Sequence, residues 1–120
     1  MSEPNADNNE LPNSPFRGLG GIVYNSTIKV RWDILEEWFA WQKEEHIPAI
    51  LATKMFDAHA FYRLLDQDEE EGPTFILQYF TTSLERYERY LLEFAPAVEQ
   101  TARTKWGDGF IAFRTLMRSE

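Results

Sequence analysis

The stretch WQKEEHIPAI, residues 41 to 50, holds one of the two histidines in the chain. Imidazole has an ordinary pKa close to neutral pH, so it can donate or accept a proton under cellular conditions. On a helical wheel of 100° per residue, His46 lies between Leu35 and Phe39, on a face that should be buried. Gln42 precedes it by one turn and can orient the ring through its amide. The catalytic hypothesis is therefore that His46 acts as an acid or base in a pocket.

Three aromatic residues are the other candidates for binding a ligand. Trp38 lies on the same predicted helix face, and Tyr24 and Tyr62 are predicted to face that helix from the sheet. Each of these residues also has a structural interpretation. A buried histidine can be satisfied by a backbone carbonyl or a carboxylate, and tyrosines often serve as core aromatics with the hydroxyl at an edge. From the residues alone both interpretations stay open.

The candidate residues belong to a chain whose patterns predict four strands and two helices. In order, these are a strand from Ile22 to Val30, a helix from Asp33 toward Leu51, strands over residues 55–65 and 73–80, a helix that begins near Thr82 and ends at Gly107, and a strand over residues 110–117. The strands show alternation and the helices show three- and four-residue spacing of apolar residues. Pro48 and Pro96 should each bend or split the helix that contains them. Residues 66–72 are predicted to form an acidic hairpin loop.

The order β-α-β-β-α-β predicts an α+β fold of the split βαβ, ferredoxin-like kind. In this arrangement both crossover helices cover one face of a four-stranded antiparallel sheet. Residues 21–118 form this domain. Residues 1–20 are rich in Asn, Pro and Gly with few apolar positions, and they are predicted to form a disordered tail.

The face of the sheet without helices is predicted to be too apolar for water. It should carry Val23, Phe61, Ile76 and Phe80, together with either Phe110 and Leu116 or Ile111, Phe113 and Met117. Large apolar patches generally mark an interface, so a homodimer through this sheet face is predicted. The same face is predicted to hold Asn25, Lys29, Asp57, His59, Arg63 and Gln78, which would make the interface partly polar.

Composition limits the remaining possibilities. A net charge of −8 argues against nucleic acid as a partner, because phosphate binding requires clustered Lys and Arg. No apolar run reaches the roughly 20 residues that a bilayer span needs, so no membrane partner is expected. The absence of cysteine fits a cytoplasmic protein and leaves too few soft ligands for a zinc site. No phosphate loop or hydrolase motif occurs, and no cofactor is predicted.

Several segments resemble a known family. These are IVYNSTIKV, the tripeptide His46-Ile47-Pro48 in the neighbourhood of Trp41, EEGPTFILQYF, YLLEFAPAV and FIAFRTL. Together they resemble the bacterial domain-of-unknown-function family 4286 over roughly residues 21–117. The resemblance implies membership of the dimeric α/β-barrel group, in which ferredoxin-like subunits pair sheet to sheet. That group includes antibiotic-biosynthesis-type monooxygenases and muconolactone isomerases, so the resemblance implies a scaffold and no particular reaction.

Two functions follow as hypotheses. In the first, a homodimer binds a small apolar or aromatic molecule in a pocket between the first helix and the sheet, with cofactor-free proton-transfer or oxygenase-type chemistry at His46. In the alternative, the protein is a non-catalytic interaction module or ligand sensor, and His46 is a hydrogen-bonding residue of the core. A cavity of about 300 Å³ or more beside His46 would favour the first hypothesis, and a filled interior would favour the second.

Overall fold

Four antiparallel strands form one sheet in the part of the chain that the computed structural model describes, residues 21–120. The strands are β1 (Ile22–Val30), β2 (Ala58–Arg63), β3 (Thr74–Thr81) and β4 (Phe110–Arg118). Their order in the sheet is β2-β3-β1-β4, so β1 and β3 are central. The predicted ferredoxin-like topology is confirmed. The predicted tail, residues 1–20, lies outside the described residues.

The first crossover is a helix with a wide turn in its middle. It consists of a 3₁₀ turn (Trp32–Ile34), α1 (Leu35–Trp41), a π-helical turn (Gln42–His46) and α2 (Ile47–Ala52). The backbone N–H of Ile47 donates to the carbonyl of Gln42, which closes the wide turn. Pro48 lies in the first turn of α2. In a regular helix its ring would clash with the carbonyl four residues earlier, and the wide turn removes that conflict.

The wide turn changes which residues face the core. Its extra residue rotates the following turns by about 100° relative to an unbroken helix. Trp38 is buried as predicted, and Trp41 is buried too, although on a regular helix it would lie about 100° to the side of His46. Beyond the turn, Ile47 and Ile50 are buried and Ala49 is exposed. A regular helix would place Ala49 on the same face as His46, so its exposure follows from the wide turn.

The second crossover is split at a proline, as predicted. It consists of α3 (Leu84–Glu93) and α4 (Ala95–Trp106), with Pro96 in the first turn of α4. Ser83 caps α3, because its hydroxyl accepts a hydrogen bond of 3.1 Å from the backbone N–H of Arg86. The sequence pattern placed the start of this helix near Thr82, one position earlier.

The faces of β2 are the reverse of the prediction. Phe61 pairs with Leu77 and Tyr62 with Ile76, and directly opposed residues point to the same side of a sheet. His59, Phe61 and Arg63 therefore face the helices, and Tyr62 lies on the other face with Ala58 and Ala60. The prediction was wrong because it counted Phe56 as part of the strand. Phe56 is buried, but it lies in the segment before β2, so its burial does not determine which residues of the strand face the helices.

Of the two sets of residues predicted for the outer face of the last strand, the structure shows one. Ile111, Phe113 and Met117 lie opposite Lys29, Thr27 and Val23 of β1, on the outer side. Phe110 and Leu116 belong to the helix side. Phe113 is 68% exposed and Ile111 is 60% exposed, so the outer face of β4 presents large apolar side chains to solvent.

Gly72 precedes β3 and offers a test of how tightly the hairpin is held against β1. It has a φ of 149°, and a Cβ at this position would overlap the carbonyl oxygen of Val30. Gly107 also has a positive φ, of 59°, but a Cβ there would meet no atom within 4 Å. We expect Gly72→Ala to lower the free energy of unfolding by about 2–4 kcal/mol, through overlap and backbone strain. Gly107→Ala should cost about 1 kcal/mol from the backbone alone. Urea unfolding followed by tryptophan fluorescence measures both, and equal losses would contradict the overlap.

Candidate functional site

Two spaces border the first crossover helix on different faces. An interior cavity of about 40 Å³ lies between the helices and the sheet, beside His46. An open groove of about 1020 Å³ lies between the outer side of the same helix and β2. We call these the interior cavity and the β2 groove.

Most of the residues predicted to form the site line the interior cavity. Gln42, His46, Trp38 and Tyr24 all line it. Tyr62 does not, because it lies on the outer face of β2 and borders only the β2 groove. Its predicted place in the same cleft was therefore wrong.

His46 is held as a neutral ring. Its Nδ1 lies 2.8 Å from Oε1 of Gln42, and because an amide oxygen only accepts, Nδ1 donates and Nε2 keeps the lone pair. The indole of Trp41 stacks on the imidazole at 4.5 Å. Burial, with a smaller contribution from the nearby Arg114 guanidinium, lowers the pKa of His46 to about 4. At neutral pH the ring can therefore exchange hydrogen bonds but is a weak base.

Further polar groups surround the interior cavity. Arg114 Nε donates to the Tyr24 hydroxyl at 3.2 Å. The Tyr79 hydroxyl is buried and has no hydrogen-bond partner within residues 21–120. Burial raises the pKa values of Tyr24, Tyr79 and Tyr90 above the ordinary value for a phenol, so all three stay protonated. These groups can donate or accept hydrogen bonds, but they do not supply a charged base.

The interior cavity is small. A space of about 40 Å³ holds about one water molecule, whereas sites for organic ligands usually reach at least about 300 Å³. In this conformation the space beside His46 favours the structural interpretation of that residue.

The β2 groove has an aromatic floor. Phe39 of α1, Phe61 of β2 and Phe75 of β3 lie with ring centroids 5.5 to 6.0 Å apart. The helix contributes further apolar wall residues, namely Leu35, Ile47, Pro48 and Leu51. The groove stays open because the first crossover leaves the edge strand β2 partly uncovered, so that Phe61 is only half-buried. Sequence reasoning missed this site because it placed Phe61 on the wrong face, although Phe39 and Phe75 were visible as apolar positions.

Charged and polar side chains border the β2 groove. The ammonium of Lys43 lies 5.0 Å from the centre of the Phe39 ring. Arg63 donates to both carboxylate oxygens of Glu69, at 2.7 and 3.3 Å. The Trp32 indole donates to the backbone carbonyl of Glu69 at 2.8 Å. The acidic hairpin therefore closes one end of the groove. His59 also lines it, and burial lowers the pKa of His59.

Residues 21–120 contain neither a metal-binding cluster nor a membrane-spanning helix. Groups of three or more His, Asp or Glu that could hold a metal ion do not occur among these residues. The helices in this range are too short or too polar to cross a membrane.

A family comparison agrees with the resemblance seen in the segments. The sequence profile of the family described as "Domain of unknown function (DUF4286)" matches residues 21–120. The chain belongs to this family. A search of curated protein sequences found no match.

Solved structures share the fold. The chain is similar to a variant of SnoaB, a cofactor-independent oxygenase from Streptomyces nogalater, with a TM-score of 0.59, 14% identity and coverage of 82% of this chain and 91% of that chain. It is also similar to a dimeric ferredoxin-like protein from an uncultured marine organism, with a TM-score of 0.56, 12% identity and coverage of 82% and 94%. A dimeric ferredoxin-like protein of unknown function from Thermobifida fusca yx gives a TM-score of 0.50 at 14% identity, with coverage of 90% and 100%. At these identities the likeness shows the ferredoxin-like fold alone.

The lowered pKa of His46 predicts a pH dependence of stability. The unfolded chain titrates this group near 6.5 and the folded chain near about 4, so the unfolded state binds more protons between these values. Stability should therefore fall as the pH drops from about 6.5 to about 4, by on the order of 3 kcal/mol from this residue. Urea unfolding at pH 7 and pH 4.5 should show that the free energy of unfolding falls less in His46→Gln than in the parent protein.

His59→Gln is the control, and it should keep the pH dependence that His46 contributes. If His46→Gln lost as much stability between the two pH values as the parent protein, the prediction would be contradicted.

Proposed function

We propose that the protein binds a small apolar or aromatic molecule in the β2 groove. The observation that carries this proposal is the groove itself, about 1020 Å³ in volume with a floor of three mutually packed phenylalanine rings. Ligand sites are typically concave, mostly apolar and about 300–1000 Å³ in volume. The interior cavity beside His46 is too small for such a ligand in this conformation.

Two exposed aromatic side chains support this site. Phe39 is 37% exposed and Trp32 is 49% exposed, and both line the β2 groove. A ligand that covers their rings removes apolar surface from water, which contributes roughly 25 cal/mol for each Å². Stacking against the Phe39 ring adds about 0.5–1.5 kcal/mol.

The border of the groove gives the ligand an orientation. Lys43 and Glu36 supply opposite charges on the helix side, and His59 supplies a neutral hydrogen-bonding ring on the strand side. A mainly apolar molecule with one polar end fits this distribution, because its ring lies on the floor while the polar end reaches the border. Binding of this kind serves a ligand sensor as well as an enzyme.

The outer face of the sheet is the proposed surface for a homodimer. Its apolar side chains Ile111, Phe113 and Met117 are exposed on β4, and Tyr62 is exposed on β2. Polar groups lie between them, where Gln78 donates to the side chain of Asn25 at 3.1 Å. The names of two structural neighbours describe dimeric proteins, which supports a second copy of this chain as the partner. A cytoplasmic location stays a prediction from the absence of cysteine.

Cofactor-free proton transfer or oxygenation at His46 is the second candidate function. It is favoured by the fixed neutral imidazole and the unpaired Tyr79 hydroxyl in one cavity, and by the shared fold with a cofactor-independent oxygenase. It ranks second because the cavity holds about one water. Such chemistry requires that this cavity open further to admit an organic molecule.

The groove proposal predicts binding of an apolar aromatic probe. N-phenyl-1-naphthylamine, which fluoresces when it leaves water, should bind saturably with one molecule per chain. Phe39→Ala should weaken this binding by about 10-fold, because it removes a ring of the floor. The control is Leu92→Ala on α3, which removes an 81% exposed side chain outside the groove and should leave the affinity unchanged. Equal affinities for Phe39→Ala and the parent protein, or a signal that never saturates, would refute the proposed site.

The dimer proposal predicts a change of mass on substitution at the outer face. Sedimentation velocity should give a dimer for the parent protein and a monomer for Phe113→Asp, because a pair of buried carboxylates at the interface lacks partners. Leu92→Asp, on the opposite side of the subunit from the sheet, should remain a dimer. A parent protein that sediments as a monomer at every concentration tested would exclude the dimer.

A further inference from the structure

A third space adjoins the interior cavity. It is a groove of about 440 Å³ between α4 and β4, which we call the α4 groove. Five residues line both the α4 groove and the interior cavity, and they form the wall between them: Glu99, Ala102, Phe110, Ala112 and Arg114. Three of these are small or apolar, and the charged pair is Glu99 and Arg114.

The contact between Arg114 and Glu99 is loose. Their closest nitrogen and oxygen are 3.8 Å apart, and the side chains are 41% and 53% exposed. This distance is too long for a hydrogen bond, and an ion pair in such a setting contributes at most about 1 kcal/mol. Arg114 is nevertheless held in place, because its Nε donates to the Tyr24 hydroxyl. The guanidinium is thus positioned by Tyr24 and only weakly paired with Glu99, so an anion that makes direct hydrogen bonds to it can replace Glu99.

An unpaired group lies on the cavity side of this wall. The Tyr79 hydroxyl is buried and, within the described part of the chain, makes no hydrogen bond. Leaving such a group unpaired costs roughly 1–3 kcal/mol, and native proteins retain few of them. Because Tyr79 lines the interior cavity, an occupant with an oxygen or nitrogen atom there would satisfy the hydroxyl.

An aromatic ring lies where the two spaces meet. Phe110 lines both spaces, and Trp38, Trp41 and Tyr90 line the interior cavity. A flat ring in the α4 groove therefore lies against Phe110, and only a group of about the size of a water molecule can enter the interior cavity.

We infer that this wall is a binding site for a small aromatic carboxylate. The carboxylate replaces Glu99 on the Arg114 guanidinium, with two parallel hydrogen bonds available to it. The ring contacts Phe110 in the α4 groove, and one carboxylate oxygen enters the interior cavity and accepts a hydrogen bond from the Tyr79 hydroxyl. This site is separate from the β2 groove and does not depend on the function proposed for that groove.

Benzoate is the probe that tests the site, with benzyl alcohol as its uncharged counterpart. Calorimetric titration should give saturable binding of one benzoate per chain, at least about 10-fold tighter than benzyl alcohol, because only benzoate offers a charge to Arg114. Arg114→Gln should weaken benzoate binding by at least about 10-fold and leave benzyl alcohol unchanged. Arg118→Gln, which removes the same charge from an exposed position on the same strand, should behave as the parent protein.

Two further variants distinguish this site from a general effect of charge. Glu99→Gln should tighten benzoate binding by about 2- to 5-fold, because the competing carboxylate is gone. Tyr79→Phe should weaken benzoate binding by about 3-fold without lowering the melting temperature, because the lost hydroxyl has no protein partner. If Arg114→Gln fails to fold, these two variants still test whether benzoate binds at this wall.

Three results would overturn the inference. They are the absence of saturable benzoate binding, an affinity unchanged by the substitutions at Arg114, Glu99 and Tyr79, and loss of benzoate binding in Phe39→Ala. The last result would place benzoate in the β2 groove, and it would leave the proposal for that groove standing.

Discussion

Pro48 imposes the constraint on which the arrangement of both candidate sites depends. A proline at this position lacks an N–H to donate and cannot tolerate a regular turn before it. The chain solves this with the π-helical turn at Gln42–His46, which precedes α2. The turn shifts the phase of the helix, so that Trp41 and His46 stack while Gln42 reaches the imidazole. π-helical turns recur at functional sites because they displace side chains in this way.

The interior cavity illustrates the cost of polar groups in a core. Gln42 satisfies Nδ1 of His46 and Arg114 satisfies Tyr24, but Tyr79 stays unpaired within residues 21–120. A partly satisfied polar cluster is less stable than an apolar core of the same shape.

The edge strand explains why the larger opening lies elsewhere. The first crossover packs Trp38 and Phe39 against β2 and β3, but it leaves the edge strand β2 partly uncovered, with Phe61 only half-buried. The Phe39 ring meets Phe61 and Phe75 there and forms a floor with one side open. The hairpin that follows β2 closes one end through Trp32, Arg63 and Glu69. The groove thus results from an edge strand that the first crossover covers only in part.

The sequence by itself determined the topology, the splits at Pro48 and Pro96, and the grouping of His46, Gln42, Tyr24 and Trp38. These follow from local periodicity and from the conformational limits of proline, which act within a few residues. Only the tertiary structure decided the faces of β2, the burial of Trp41 and the size of the space beside His46. The faces of β2 depend on which aromatic residue packs against the Phe75 ring, since Phe61 and Tyr62 both offer one. The phase of the first helix depends on an extra residue in one turn, and cavity volume depends on how side chains from distant segments fill the same space.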